Sequence, residues 1–144
     1  MNYNLVEILL VEDNPDDAEL TIRELTKHNM AGNLVHVKDG EEALEFIFAT
    51  GKYKNIRDVA HLPRLMLLDI QMPKVNGIEV LEKIKLDPLT KSIPVVILTS
   101  SNESPDITKC YNLGANSYIV KPVNFDGFSQ AIKNIGTYWI SLNK

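Results

Sequence analysis

The nine residues Leu65-Met66-Leu67-Leu68-Asp69-Ile70-Gln71-Met72-Pro73 constrain this chain more than any other stretch. Four consecutive apolar residues, bounded by Pro63 before and Pro73 after, are too few for a buried helix and fit a strand covered on both faces. The run ends in a carboxylate. Asn76-Gly77 follows, and then Ile78 to Lys85 with apolar residues at helical spacing. Asp69 therefore stands where a buried strand opens into a loop and a helix, the edge at which open α/β sheets bind ligands. A lone Asp after an apolar run more often only stops a strand or forms a turn, so the other strand ends decide its meaning.

The same grammar recurs along the chain. Leu5 to Val11, apolar apart from Glu7, reads as a buried strand ending in Glu12-Asp13. Asn14 can cap the helix that follows, Pro15 suits its first turn, and Asp16 and Asp17 complement the positive end of its dipole. Ala18, Ile22 and Leu25 mark its inward face, which runs to about His28. Asn33 to Val37 is a second strand. Asp39-Gly40-Glu41-Glu42 offers a capping box for a second helix, with Ala43, Leu44, Ile47 and Phe48 inward and Gly51 at its end. The third helix stops at Asp87-Pro88. Pro94 to Leu98 is an apolar strand ending in Thr99-Ser100-Ser101, Ser104-Pro105-Asp106 opens a fourth helix that ends at Gly114, and Ser117 to Val120 is a fifth strand ending at Lys121-Pro122. A last helix from about Asn124 carries Phe125, Phe128, Ile132, Ile135 and Trp139 on one stripe, read as core packing, with Gly136 weakening its final turn. Lys52 to Leu62 is polar, mixed in charge and without clear periodicity, and reads as a long surface loop able to carry function. Five strands alternating with five helices give a doubly wound parallel α/β sheet.

A chain of 144 residues accommodates one such domain, expected to span 1–144 without a separate output domain. Fifteen Lys plus Arg against 19 Asp plus Glu give a formal net charge of −4, and no basic cluster is long enough to track phosphates, so nucleic acid is not expected as a direct partner. Cys110 is the single cysteine and cannot form an internal bridge. No apolar run reaches transmembrane length and no leader pattern opens the chain, which predicts a soluble cytoplasmic protein.

Glu12 and Asp13 close the first strand, Asp69 the third, Thr99 the fourth and Lys121 the fifth, so all five are expected at one edge of the sheet. Three carboxylates converging there repel one another and must take up protons or share a cation. Hard oxygen donors with no His or Cys among them favour magnesium or a similar ion over zinc. A Lys and a Thr on the facing strands can hold phosphoryl oxygens. Each residue alone is a weak signal, whereas five at equivalent strand ends are a strong one.

Glu12-Asp13 after the first strand, Leu67-Leu68-Asp69-Ile70-Gln71-Met72-Pro73 with Gly77, Ile97-Leu98-Thr99-Ser100-Ser101 and Tyr118-Ile119-Val120-Lys121-Pro122 together resemble the receiver domain of two-component response regulators, from about Leu5 to Trp139. The resemblance implies a CheY-like sandwich with strand order 2-1-3-4-5. It implies that Asp69 accepts a phosphoryl group from a histidine kinase, and that Glu12, Asp13, Asp69 and the backbone carbonyl of Gln71 hold Mg²⁺, Glu12 through water. Lys121 would contact the phosphoryl oxygens, aimed by a cis bond to Pro122. Thr99 and Tyr118 match the family's switch pair, in which the hydroxyl moves toward the phosphoryl group and the ring turns into the space vacated. The plainer alternatives are β propensity alone for Thr99 and an ordinary strand aromatic with its hydroxyl in water for Tyr118; with the other motif residues present, the switch reading outweighs both. The Lys52 to Leu62 segment resembles the extended loop of single-domain receivers that partner phytochrome-type sensor kinases. Output is expected through protein contacts with a downstream target, or a homodimer, on the fourth helix, fifth strand and last helix, with Tyr138, Trp139 and Ile140 nearby.

Competing chemistries fit less well. A haloacid dehalogenase phosphatase needs a second acid two residues after its nucleophile, where this chain has Gln71, and a flavodoxin needs a hydroxyl- and glycine-rich loop where it has Glu12-Asp13-Asn14-Pro15. A receiver fold used only as an interaction module usually lacks the acceptor, an acid or the lysine, and all are present. His28, His36 and His61 are dispersed and indicate neither a metal site nor a phosphotransfer histidine, and Cys110 reads as a packing residue. Asp16 and Asp17 read as first-turn helix acids, although Asp16 is close enough in sequence to Glu12 and Asp13 to touch the pocket rim.

Overall fold

The apolar runs read from the sequence pair with one another. The computed structural model describes residues 2–30, 32–72, 75–100 and 105–135, with side chains as far as Lys133. Along it β1 (Ile8–Val11), α1 (Pro15–Lys27), β2 (Leu34–Val37), α2 (Gly40–Phe48), β3 (Leu65–Asp69), α3 (Gly77–Leu86), β4 (Val95–Thr99), α4 (Pro105–Asn112), β5 (Ser117–Val120) and α5 (Phe125–Ile135) alternate. All strand pairs are parallel, in the order β2-β1-β3-β4-β5. Every residue of β1, β3 and β4 is buried, because helices cover both faces of a parallel sheet.

Side chains alternate along a strand, and the two sets build two cores. Leu9, Val11, Met66, Leu68, Val95 and Ile97 pack against α2, α3 and α4 through Phe46, Leu81 and Cys110. Ile8, Leu10, Leu65, Leu67, Val96 and Leu98 pack against α1 and α5 through Ala18, Leu25, Phe128 and Ile132. The caps form as read. The Asn14 side chain accepts from the N–H groups of Asp16 and Asp17 at 2.9 and 3.1 Å, Asp39 from Glu42 at 2.8 Å, and Asn76 from Glu79 at 3.0 Å.

Several boundaries and faces differ from the sequence reading. β1 begins at Ile8 rather than Leu5, since Tyr3–Leu5 forms a 3₁₀ turn that leaves Leu5 61% exposed. In α2 the fully buried set is Ala43, Phe46 and Ile47, while Leu44 and Phe48 are only partly covered. Of the expected α5 stripe, Phe128 and Ile132 are buried. Phe125 is half-buried and stacks on the His28 ring, with centroids 4.0 Å apart. Pro73, Ser101, Ser104, Gly136, Tyr138, Trp139, Ile140 and the Ile135 side chain lie outside the described residues.

The Lys52 to Leu62 segment lies at the surface as read, but it is anchored from within. It opens on a second 3₁₀ turn, Gly51–Tyr53, and sends two side chains inward. Tyr53 meets Phe46 and Tyr3 edge-on at 5.0 and 5.6 Å, and its hydroxyl donates to Glu42 Oε2 at 2.9 Å. Arg57 is buried. It donates to the carbonyls of Phe46, Ile47, Tyr3 and His61 at 2.5, 3.4, 3.2 and 2.9 Å, with its guanidinium 4.4 Å from the Phe46 ring centre. One cation thus closes the open end of α2 and ties the segment to the N-terminal turn. Substituting Arg57→Ala strands buried carbonyls, so urea unfolding should show a loss of about 2–4 kcal/mol. The exposed neighbour Lys54→Ala should cost less than about 0.5 kcal/mol. An Arg57→Ala variant as stable as its parent would remove this anchor.

Candidate functional site

Strand register brings the polar strand ends together. Val11 is paired with Leu68, so Glu12 and Asp69, one residue on in each strand, finish side by side. Asp69 is paired with Leu98 and Thr99 with Val120, which sets Thr99 and Lys121 next along the same edge. Carboxylate oxygens from Glu12, Asp13 and Asp69 all lie within 4.8 Å of one another. Glycines permit the approach. A Cβ on Gly77 would fall 2.3 Å from the Asp69 carbonyl oxygen and 2.5 Å from Ile70 Cα, so a larger residue would push the first turn of α3 off the strand end. A Cβ on Gly40 would fall 1.9 Å from the Val75 carbonyl oxygen, and α2 braces the same loop from the other side.

Each acid has a distinct environment. Asp69, buried, accepts from the Gln71 N–H on Oδ1 at 3.0 Å and from Lys121 Nζ on Oδ2 at 3.0 Å. Glu12 is also buried, and its Oε2 accepts from the Asn14 N–H at 3.3 Å. Lys121 Nζ comes within 2.9 Å of Glu12 Oε1 as an ion pair, but without hydrogen-bond angles, so that buried oxygen keeps an unused lone pair. Burial, and next the neighbouring Asp69, push the Glu12 carboxyl up to about 7, against the pull of Lys121. Burial and Asp69 push Asp13 up as well. Lys121 is driven up to about 12: burial alone would lower it, but Glu12 and Asp69 more than offset this. The two directions agree physically, since one ammonium satisfied by several carboxylates cannot relieve them all. A buried carboxylate oxygen that accepts no hydrogen bond, within a set of three hard oxygen donors, fits a divalent cation.

The sequence-predicted residues Glu12, Asp13, Asp69, Thr99 and Lys121 meet at this edge, with Thr99 buried and its carbonyl accepting from the Lys121 N–H at 2.8 Å. Gln71 is placed by its N–H bond to Asp69. The Lys121-Pro122 peptide is cis. Tyr118 is half-buried, its ring 6.4 Å from that of Tyr111 and nearly perpendicular to it. The first-turn acid that reaches the site is Asp17, not Asp16: its Oδ2 lies 3.4 Å from Lys121 Nζ. His36 Nε2 lies 2.8 Å from the Glu12 carbonyl, which can only accept, so the ring nitrogen is the donor in this contact.

A model of the response regulator receiver domain matches residues 8–133. The chain belongs to that family. Response regulator Rcp1 of Synechocystis sp. (strain ATCC 27184 / PCC 6803 / Kazusa) is 36% identical over 133 residues, 92% of this chain and 88% of that protein. The structure of the bacteriophytochrome response regulator AtBRR superposes with a TM-score of 0.86 at 46% identity, covering 94% of this chain and 95% of that one. A structure of Rcp1 in its Mn²⁺-bound form superposes with a TM-score of 0.74 at 36% identity, covering 94% of each chain. Receivers bind a divalent metal and serve two-component signalling, in which a histidine kinase is the partner. No helix among the described residues is long and apolar enough to cross a membrane.

The raised acids fix a pH dependence. Glu12, up from 4.5 to about 7 in the folded receiver, and Asp13, also raised, hold protons that the unfolded chain releases, so they cost stability as pH rises from about 4.5 through about 7. Lys121 contributes stability below about 10.5 and loses it only as pH approaches about 12, outside that window. A divalent cation replaces the protons. Melting temperature should therefore rise with millimolar Mg²⁺ by several degrees at pH 8 and by little at pH 5. An equal rise at both values would contradict this charge balance.

Proposed function

We propose that Asp69 accepts a phosphoryl group from the phosphohistidine of a sensor kinase. The observation that carries this reading is the Asp69 carboxylate, buried at the end of β3 and held on one oxygen by a backbone N–H and on the other by Lys121. One carboxylate oxygen attacks phosphorus in line with the leaving nitrogen. The new O–P bond forms as the P–N bond breaks, and the electron pair returns to an imidazole that already carries one proton and leaves neutral. Lys121 Nζ, 3.0 Å from Asp69 Oδ2, follows the transferring oxygens. Glu12, Asp13, Asp69 and the Gln71 carbonyl would hold Mg²⁺, which when bound neutralises charge on the transferring group. Hydrolysis is the same displacement with water: a water oxygen bonds phosphorus, the Asp69 O–P bond breaks and inorganic phosphate leaves. The receiver thus assists both its own phosphorylation and its dephosphorylation.

Thr99 and Tyr118 relay the event. The Thr99 hydroxyl turns to a phosphoryl oxygen and the Tyr118 ring fills the space behind it, which alters the face made by α4, β5 and α5. There Tyr111, Tyr118, Val120, Asn124, Gly127 and Gln130 line a groove of about 360 Å³, suited to a downstream protein or a second copy of the receiver. The likeness to the bacteriophytochrome response regulator AtBRR favours a phytochrome-type kinase, with the Lys52 to Leu62 segment taking part in kinase recognition. Tyr53 and Arg57 anchor that segment and leave Ile56 50% exposed at its surface.

Acetyl phosphate with Mg²⁺ should add one phosphoryl group per chain, read by intact mass, and Asp69→Asn should abolish it. Full labelling of that variant would refute the assignment. Ile56→Asp should keep acetyl phosphate labelling while slowing transfer from the cognate kinase about tenfold or more, as expected for a lost interface anchor. Sedimentation with beryllofluoride should show tighter self-association or partner binding that Tyr118→Ala removes. Indifference to the mimic would leave the relay without support.

A further inference from the structure

Lys121 has one carboxylate partner more than phosphoryl chemistry requires. Its Nζ lies 2.9 Å from Glu12 and 3.0 Å from Asp69 on the inner side, and 3.4 Å from Asp17 Oδ2 on the outer side. The Asp17 side chain is 39% exposed, Lys121 19%, Asp69 4% and Glu12 0%, so Asp17 stands between the pocket and solvent. Its placement is built. Asn14 caps its backbone N–H at 3.1 Å, and it leads a stripe down α1 that docks on the β5–α5 connection. Along that stripe Thr21 is buried, Glu24 Oε2 accepts the Phe125 N–H at 3.0 Å, and His28 stacks on Phe125. The spacing 17, 21, 24, 28 keeps all four on one helical face, whereas Asp16 stands exposed a third of a turn away.

We propose that Asp17 is a positioning residue: it shares Lys121 with the phosphoryl group and gates the pocket mouth against anionic donors. The proposal rests on Asp69 being the acceptor. In the unphosphorylated chain Asp17 draws the ammonium outward. A phosphoryl group on Asp69 needs the same ammonium for its oxygens, so Asp17 competes with it, and an incoming phosphodonor passes this fixed negative charge on the way to Asp69. Removing the charge while keeping the shape releases Lys121 to the inner side and lowers the barrier to anions, more for a dianion than for a monoanion.

The test uses the full chain with Mg²⁺ and compares initial labelling rates by acetyl phosphate, a dianion at neutral pH, and phosphoramidate, which carries less net charge. In each case the Asp69 carboxylate forms the O–P bond while acetate or ammonia leaves. At subsaturating donor, Asp17→Asn should react with acetyl phosphate about three- to tenfold faster than its parent, with a smaller gain for phosphoramidate. Asp16→Asn, of equal charge change on the same turn, should stay within about twofold, and Asp17→Glu should stay near the parent rate. An Asp17→Asn rate at or below the parent's, an equal gain with both donors, or the same gain in Asp16→Asn would overturn the proposal. A parent chain that takes up no label would instead sink the Asp69 reading and this one with it, whereas a labelled parent with an unresponsive Asp17→Asn removes only the gate.

Discussion

Mutual repulsion among carboxylates gathered at one edge of a buried sheet is the constraint from which the rest of this receiver follows. Glu12, Asp13 and Asp69 place their oxygens within 4.8 Å of one another, beside a single ammonium. Lys121 answers only part of that charge: Glu12 Oε1 accepts no hydrogen bond, and burial first, then Asp69, hold the Glu12 carboxyl up at about 7. Such a site is unstable toward anything that brings positive charge in. A divalent cation is the direct relief, and a cation in place gives an anionic phosphodonor its counter-charge.

The fold holds that arrangement in place. β1, β3 and β4 are buried on both faces, so their registers cannot slip without exposing core residues, and the registers set Glu12 beside Asp69. Gly77 and Gly40 let α3 and α2 close on the loop that follows Asp69. On the far side, α1 grips the start of α5 through Glu24 and His28, next to the turn that carries Lys121. The charge repulsion is thus borne by packed strands and helices.

Much of this was legible because the chemistry falls at the ends of apolar runs. A buried parallel strand leaves an unmistakable sequence pattern, and a polar residue that ends it has only one edge of the sheet to occupy, which is why Glu12, Asp69, Thr99 and Lys121 could be brought together from sequence. What escaped was chemistry with no such pattern. Arg57 anchors its segment by donating to backbone carbonyls, which no residue type records, so the polarity of Lys52 to Leu62 shows a surface loop but not its anchor. Phe46 was overlooked at the centre of the α2 face because Leu44 and Phe48 were read as inward, though both are only partly covered. Asp17, in the first turn of a helix, reads only as a partner of the helix dipole. The stripe of Asp17, Thr21, Glu24 and His28 at helical spacing was the available signal, and it required knowing that α1 docks on the β5–α5 turn.

The central claim, that this pocket is an over-charged acidic site awaiting a cation, is tested most directly by the titration of Glu12 itself. Carboxyl carbon resonances followed by NMR from pH 4 to pH 9, with Glu12 assigned through Glu12→Gln, report its protonation without any assay of function. The account predicts a midpoint near 7 in cation-free protein and a clear shift to lower pH when Mg²⁺ is added. A midpoint near the ordinary glutamate value of about 4.3 without cation, unchanged by Mg²⁺, would contradict it.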